Sequence, residues 1–178
     1  MPLLKTETYT IDYIYSLPEG QRAELIDGVV YDMAPPSLKH HLLVSNITTE
    51  INLYIRSKQG NCKVLPAPFA VLLNKDDKNY VEPDISVICD LNKLNDKGCI
   101  GAPDLIIEIV SPSSKRMDYF IKLFKYRTAG VREYWIVDPL KDRIMVYNFE
   151  TEDTLDYTFA DSVKVGIYED LNIDFSKL

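Results

Sequence analysis

The stretch that decides the fold is 103–112, PDLIIEIVSP, an apolar segment with a glutamate near its centre. Its length and its branched apolar residues predict a buried strand, in which successive side chains point to opposite faces. Glu108 then shares a face with Ile106, while Ile107 lies on the other. Burying a carboxylate without a partner is strongly unfavourable. The strand therefore predicts a partner for Glu108, either a metal ion or a buried cation.

A second apolar strand, 81–90 (VEPDISVICD), raises the same question for Asp84. Asp104 lies on the strand of Glu108 but four residues away, about 13 Å along a strand, which is too far to share a small cation. Asp84 on a neighbouring strand is the natural second ligand, because a divalent metal offsets the burial and mutual repulsion of two carboxylates. A strand-initiating or turn-forming role for Asp84 stays open.

The segment 113–130 predicts a helix with a serine cap and a C-terminal glycine. Lys122 on this helix can reach back to Glu108 if the helix packs on the sheet. Phe120, Leu123 and Phe124 are expected to face the core. Two acids and a lysine beside a divalent metal suit phosphodiester cleavage, since the metal activates water and the lysine neutralises developing charge. Lys122 and Glu108 as a simple internal ion pair is the alternative.

The rest of the chain predicts a mixed α/β architecture with one long helix on each side of a run of strands. The dipeptide Asp27-Gly28 between two apolar runs indicates a two-residue hairpin. We find no internal repeat or linker and expect one domain over 1–178. The other predicted elements are a short helix (10–17), the hairpin (23–33), a long helix (37–58), one or two strands (62–74), two strands (131–138 and 143–149) and weaker strands within 150–178.

The net charge of −7 argues against strong nonspecific binding of nucleic acid. Residues 149–178 hold −6 of this charge, however, and the first 148 residues hold only −1. The acidity is therefore concentrated at the C-terminal end, where a solvated acidic edge is the simplest interpretation.

The three cysteines are odd in number and show no CxxC spacing, which argues against a disulfide framework and a zinc site. The segment 1–10 lacks a signal-peptide pattern, and no apolar run approaches 18 residues. We therefore expect a cytoplasmic protein without a membrane span.

These features together resemble the PD-(D/E)xK, restriction-endonuclease-like superfamily. More closely, the chain is similar to a large bacterial family of endonucleases long described as a domain of unknown function. The resemblance implies a restriction-endonuclease-like fold, with a central mixed β-sheet flanked by helices and an N-terminal β-hairpin. The residues that carry it are Glu24, Met33, Pro35, His40, Pro83, Asp84, Glu108, Asp118, Lys122, Tyr126, Gly130, Val131 and the segment 133–139.

The resemblance implies that Asp84 and Glu108 bind Mg²⁺ or Mn²⁺, with the backbone carbonyl of Ile109 as a further ligand. The superfamily's lysine is expected two residues after the second acid, where this chain has Val110. Lys122 on the following helix matches the relocated lysine of the family.

Two further residues are candidates for catalysis. Glu24 in the first hairpin can complete the acidic cluster, or be a surface strand residue. His40 at the start of the long helix is a candidate general acid or base, or a capping and packing residue. His41 beside it has no matching role.

The expected function is metal-dependent hydrolysis of DNA phosphodiester bonds by an endonuclease. A homodimer is also expected, since cutting both strands of a duplex favours two sites related by two-fold symmetry. The alternative is a catalytically inactive module of the same fold that binds nucleic acid or a protein partner. No glycine-rich phosphate loop, nucleophile elbow or HExxH motif points to another enzyme class.

Overall fold

The computed structural model describes residues 7–178, and residues 1–6 of the segment tested for a signal peptide lie outside it. Its helices are α1 (Ile11–Tyr15), α2 (Leu38–Ser57), a π-helical segment (Met117–Lys122) continued by α3 (Leu123–Ala129), and the short 3₁₀ helices Leu91–Lys93 and Phe175–Lys177. Its strands are β1 (Ala23–Ile26), β2 (Val29–Asp32), β3 (Lys63–Pro66), β4 (Val71–Leu72), β5 (Tyr80–Val81), β6 (Ile85–Ile88), β7 (Leu94–Asn95), β8 (Gly98–Ile100), β9 (Leu105–Ile109), β10 (Glu133–Asp138), β11 (Arg143–Asn148), β12 (Asp153–Tyr157), β13 (Ser162–Lys164) and β14 (Asn172–Asp174).

The central sheet has six strands in the order β12-β11-β10-β9-β6-β3. β9 and β10 are parallel, and the other neighbours pair antiparallel, so the sheet is mixed. Within the segment 103–112, residues Leu105–Ile109 form β9 in the interior of this sheet, and all of them are buried. The predicted mixed α/β fold is confirmed.

Helices cover both faces of the central sheet, and successive side chains of β9 point alternately to these two faces. Ile107 and Ile109 belong to the core shared with α2, whereas Ile106 and Val110 belong to the core that includes Tyr126 of α3. Glu108 therefore points toward the third helix, as the strand pattern predicts.

A second six-stranded sheet, ordered β2-β1-β5-β4-β8-β7, packs beside the central one. Its β1–β2 hairpin turns at Asp27 and Gly28, whose φ values of 51° and 77° lie in the left-handed region that this turn requires. The predicted hairpin is present, and it carries Glu24 toward β9. The acidic C-terminal segment adds β12 to the central sheet and a separate β13–β14 ribbon.

The predicted core face of the third helix is wrong for two of its three residues, since only Leu123 packs against the core. Phe120 and Phe124 are 71% and 65% exposed, whereas Asp118, Lys122 and Tyr126 of the same helix are buried. The helix buries its charged face because acids from β1 and β9 meet Lys122 there, so that ion pairing replaces apolar packing.

The cysteines also differ from expectation, because Cys62 and Cys89 form a disulfide. Lys63 and Ile88 are paired in the β3–β6 ladder, so the two cysteines are the next residues across the ends of these strands. Strand register brings them together, which spacing along the chain does not show. Cys99 is a free, buried cysteine. The disulfide removes the cysteine argument for a reducing compartment.

None of the helices within residues 7–178 is both long and apolar enough to cross a membrane.

Candidate active site

The predicted site residues meet at the edge of the central sheet where β9 ends and β6 begins. Asp84 immediately precedes β6, and its Oδ2 accepts a hydrogen bond of 2.7 Å from the backbone N–H of Ile109. Its own N–H donates to Glu108 Oε2 at 3.3 Å. The antiparallel pairing of β6 and β9 thus holds the two carboxylates side by side.

The second carboxylate oxygen of Glu108 is held from the opposite direction. Lys122 Nζ donates to Glu108 Oε1 at 2.9 Å, and the Tyr126 hydroxyl donates to the same oxygen at 2.6 Å. These two contacts fix the carboxylate, so that Oε2 faces Asp84.

Lys122 is enclosed by acids. Its ammonium lies 2.9 Å from an oxygen of Glu24 on β1, and 3.8 Å from Asp118 one turn earlier on its own helix. Glu24 also accepts a hydrogen bond from the backbone N–H of Glu82 at 3.0 Å. The second sheet, the central sheet and the third helix are therefore joined by one buried charge network.

Burial is the largest cause of the pKa shifts in this network, and for each group the opposite charge beside it counters burial. Burial raises the pKa of Glu108 and of Asp118, and the Lys122 ammonium counters the shift in both cases. Burial alone would lower the pKa of Lys122, but the charges of Glu108 and Glu24 outweigh it and raise that pKa above its usual value. Lys122 therefore stays protonated and cannot serve as a proton acceptor at neutral pH.

His40 approaches Asp84 from the other face of the sheet. The side chain of Ser37 caps α2 by accepting from the backbone N–H of His40, which places the imidazole Nε2 3.0 Å from Asp84 Oδ2. Burial lowers the pKa of His40, but the hydrogen bond to Asp84 and its charge outweigh burial and raise the pKa overall. The buried Nδ1 has no hydrogen-bond partner among the described residues.

The oxygens at this edge fit a hard divalent cation. Asp84 Oδ1 accepts no hydrogen bond within the described part of the chain, Glu108 Oε2 points at Asp84, and the Ile109 carbonyl is adjacent in sequence. No group of three or more His, Cys, Asp or Glu side chains within 7–178 is arranged to hold a metal alone. Mg²⁺, however, typically uses one or two carboxylates and completes its shell with water and phosphate oxygens.

The structure brings together all six predicted site residues. Ile109 contributes its backbone, which bonds to Asp84, and the other five side chains form two layers. His40 and Asp84 lie at the partly open mouth, with side chains 13% and 15% exposed, and Glu108, Lys122 and Glu24 lie buried behind them.

The hydrogen bond from Tyr126 to Glu108 is absent from the sequence-based predictions. The signal was available, because Asp118, Lys122 and Tyr126 follow one another at intervals of four and so share a helix face.

Comparison with known proteins shows the family to which the chain belongs. Residues 9–168 match the sequence model of the Uma2 family, described as "Putative restriction endonuclease". The chain belongs to this family. Two uncharacterized proteins of the cyanobacterium Synechocystis sp. are similar to it, at 25% identity over 131 residues and 27% identity over 130 residues. These alignments cover 73% and 71% of this chain and 67% and 72% of the relatives.

A solved structure shares the fold of this Uma2 chain. It is the crystal structure of "a putative nuclease belonging to DUF820" from Anabaena variabilis, with a TM-score of 0.76 and 22% sequence identity. The match covers 94% of this chain and 95% of that one. The nuclease-type fold therefore extends over nearly the whole chain.

Proposed function

We propose that this Uma2 protein is a metal-dependent endonuclease that hydrolyses DNA phosphodiester bonds with Mg²⁺ or Mn²⁺. The observation that carries the proposal is the convergence of Asp84 and Glu108 at the carboxyl end of β9, with the Lys122 ammonium bonded to Glu108 from behind. Family membership and the shared fold support the same chemistry.

Asp84, Glu108 and the carbonyl of Ile109 would hold the cation. When bound, a divalent cation polarises the phosphate and lowers the pKa of a bound water. Glu108 is fitted to this role because Lys122 and Tyr126 occupy one of its oxygens and leave the other turned toward Asp84. In this proposal Lys122 acts as a fixed positive charge that favours the ionised form of Glu108.

His40 has a separate role in the proposal. Its imidazole donates to Asp84 Oδ2 when protonated and so supplies positive charge beside that carboxylate. Release of this contact would free Asp84 for a cation and leave a proton donor at the mouth of the site.

Cleavage of supercoiled plasmid tests the proposal. The wild type is expected to nick and linearise plasmid with Mg²⁺ or Mn²⁺ and to be inactive in a chelator. Asp84→Asn and Glu108→Gln, which keep side-chain shape and remove charge, are expected to abolish cleavage. Asp156→Asn is the control, because Asp156 is exposed on β12 and, among residues 7–178, pairs only with Arg143. A wild type that cuts neither plasmid nor single-stranded DNA with either metal would refute the proposal.

A second candidate function is nucleic-acid or partner binding without cleavage. Val110 stands where the superfamily carries its lysine, and the replacement Lys122 is enclosed by Glu24, Glu108 and Asp118 rather than open to a substrate. This candidate predicts DNA binding that survives the Asp84→Asn substitution and no product with any metal.

A homodimer is the assembly that we propose for cutting duplex DNA. Light scattering coupled to size-exclusion chromatography tests this, and a mass near that of the 20.4 kDa monomer would contradict it.

A further inference from the structure

Two helices begin at the same edge of the central sheet as the candidate site. α2 begins at Leu38, and His40 in its first turn contacts Asp84. The third helix follows directly on β9, which ends at Ile109, and its first helical residues are Lys115 and Arg116. Both helices therefore begin near the end of β9, where the two carboxylates lie.

The end of β10 belongs to this edge as well, because β10 runs parallel to β9. Lys39 Nζ donates to the carbonyl of Pro139, just beyond β10, at 3.4 Å. This contact links the start of α2 to the turn that connects β10 to β11.

The same turn is linked to the third helix through Tyr119. The Tyr119 hydroxyl donates to Asp138 at the end of β10 at 2.9 Å, and Lys141 Nζ lies 5.3 Å from the Tyr119 ring centroid. Tyr119 is one helical turn beyond Lys115. Tyr119 therefore connects the turn that carries Lys141 to the helix that begins with Lys115.

We call the exposed cations of these three segments the basic edge. Its four members are all exposed, and none has a carboxylate within ion-pair distance in the described residues. The members are Lys39, Lys115, Arg116 and Lys141.

The two acids of the turn form no ion pair with the basic edge in the described residues. The carboxylate of Asp138 is buried and accepts from Tyr119 and from the backbone N–H of Leu140. Asp142 is the exposed acid in the turn, and it accepts from the backbone N–H of Phe159. Four exposed cations without an ion-pair partner in the described residues, in a chain of net charge −7, indicate an anionic ligand at this place.

We propose that the basic edge binds the phosphate backbone of DNA and places a phosphodiester beside Asp84 and Glu108. This inference rests on the proposed function and adds the surface that holds the substrate. Four cations on three separate segments near an oxygen-lined mouth suit a polyanion with regularly repeated phosphates. Each phosphate neutralised by such a side chain releases condensed counterions, so binding must weaken with salt.

Fluorescence anisotropy of a short labelled DNA duplex, in a chelator so that nothing is cut, measures this dependence. The test variant replaces all four members of the basic edge by alanine. The control variant replaces one arginine and three lysines elsewhere that are equally exposed and have no carboxylate partner in the described residues, so both variants lose the same charge. The control residues are Arg56, Lys63, Lys78 and Lys97.

The wild type should show a linear fall of log affinity with log salt between about 50 and 200 mM. The slope should decrease in magnitude by about 3 to 4 in the basic-edge variant and stay near the wild-type value in the control. Equal slopes in the two variants would overturn the proposal. If the fourfold variant does not fold, the pairs Lys39/Lys141 and Lys115/Arg116 should each reduce the slope by about 2.

The outcome is separable from the proposed hydrolysis. Salt-dependent binding that the basic-edge variant loses would support this inference even if the wild type cuts nothing with Mg²⁺ or Mn²⁺. A wild type without salt-dependent DNA binding would overturn it. Tighter binding of an RNA duplex of equal length, lost in the same variant, would overturn DNA as the ligand.

Discussion

Replacing Lys122 by methionine removes the one ammonium that the buried charge network contains among the described residues. The change keeps the length of the side chain but leaves Glu24, Glu108 and Asp118 buried without their counter-charge. Removing one partner of a buried ion pair typically costs about 3–5 kcal/mol. Because Lys122 contacts two carboxylates at 2.9 Å and is 5% exposed, we expect a loss in this range.

The loss should depend on pH. Burial already raises the pKa of Glu108, and removing the ammonium that opposes this shift raises it further. A carboxyl with a raised pKa in the folded state stabilises less as the pH rises through that pKa. The cost of Lys122→Met should therefore be larger near pH 8 than near pH 6.

Urea unfolding followed by the fluorescence of Trp135 measures the effect. Trp135 is the single tryptophan of the chain, and it is fully buried. Lys125→Met is the matched control, because Lys125 pairs with the exposed Asp27 and should cost less than about 1 kcal/mol. A loss below about 1 kcal/mol for Lys122→Met as well would refute the buried network.

Three further predictions concern Mn²⁺ binding, the Tyr126 hydroxyl and the disulfide. The affinity for Mn²⁺ should increase between about pH 6 and pH 8, since burial raises the pKa of Glu108 and its proton must leave before a cation binds; titration calorimetry showing a flat profile would contradict this. Tyr126→Phe removes the 2.6 Å bond to Glu108 and should lower the free energy of unfolding by about 1.5–3 kcal/mol while weakening Mn²⁺ binding, and unchanged values of both would argue against a supporting role. Replacing Cys62 and Cys89 by alanine should cost about 2–4 kcal/mol in urea unfolding, and a reducing agent should produce the same loss in the wild type and none in the variant.

The strand and helix periodicities of the sequence explain most of the site. Alternation along β9 predicts the face of Glu108, and the helical interval places Lys122 within reach of it. Both follow from local geometry that a single segment determines. The hairpin at Asp27-Gly28 is predictable for the same reason, since only a few residues adopt positive φ easily.

Features that depend on long-range register could not be predicted in this way. Phe120 and Phe124 are exposed, although the apolar face of a helix usually packs inward. The charged face is buried instead, because acids from β1 and β9 pair with Lys122 there. The pairing of Cys62 with Cys89 requires the register of β3 on β6. No pattern within either segment contains that information.

Calorimetric titration of Mn²⁺ tests most directly whether Asp84 and Glu108 form one metal site. The account predicts saturable binding to the wild type, its loss in Asp84→Ala and in Glu108→Ala, and its retention in the control Asp156→Ala on the exposed strand β12. Absence of Mn²⁺ binding to the wild type, or binding that survives both site substitutions, would contradict the account.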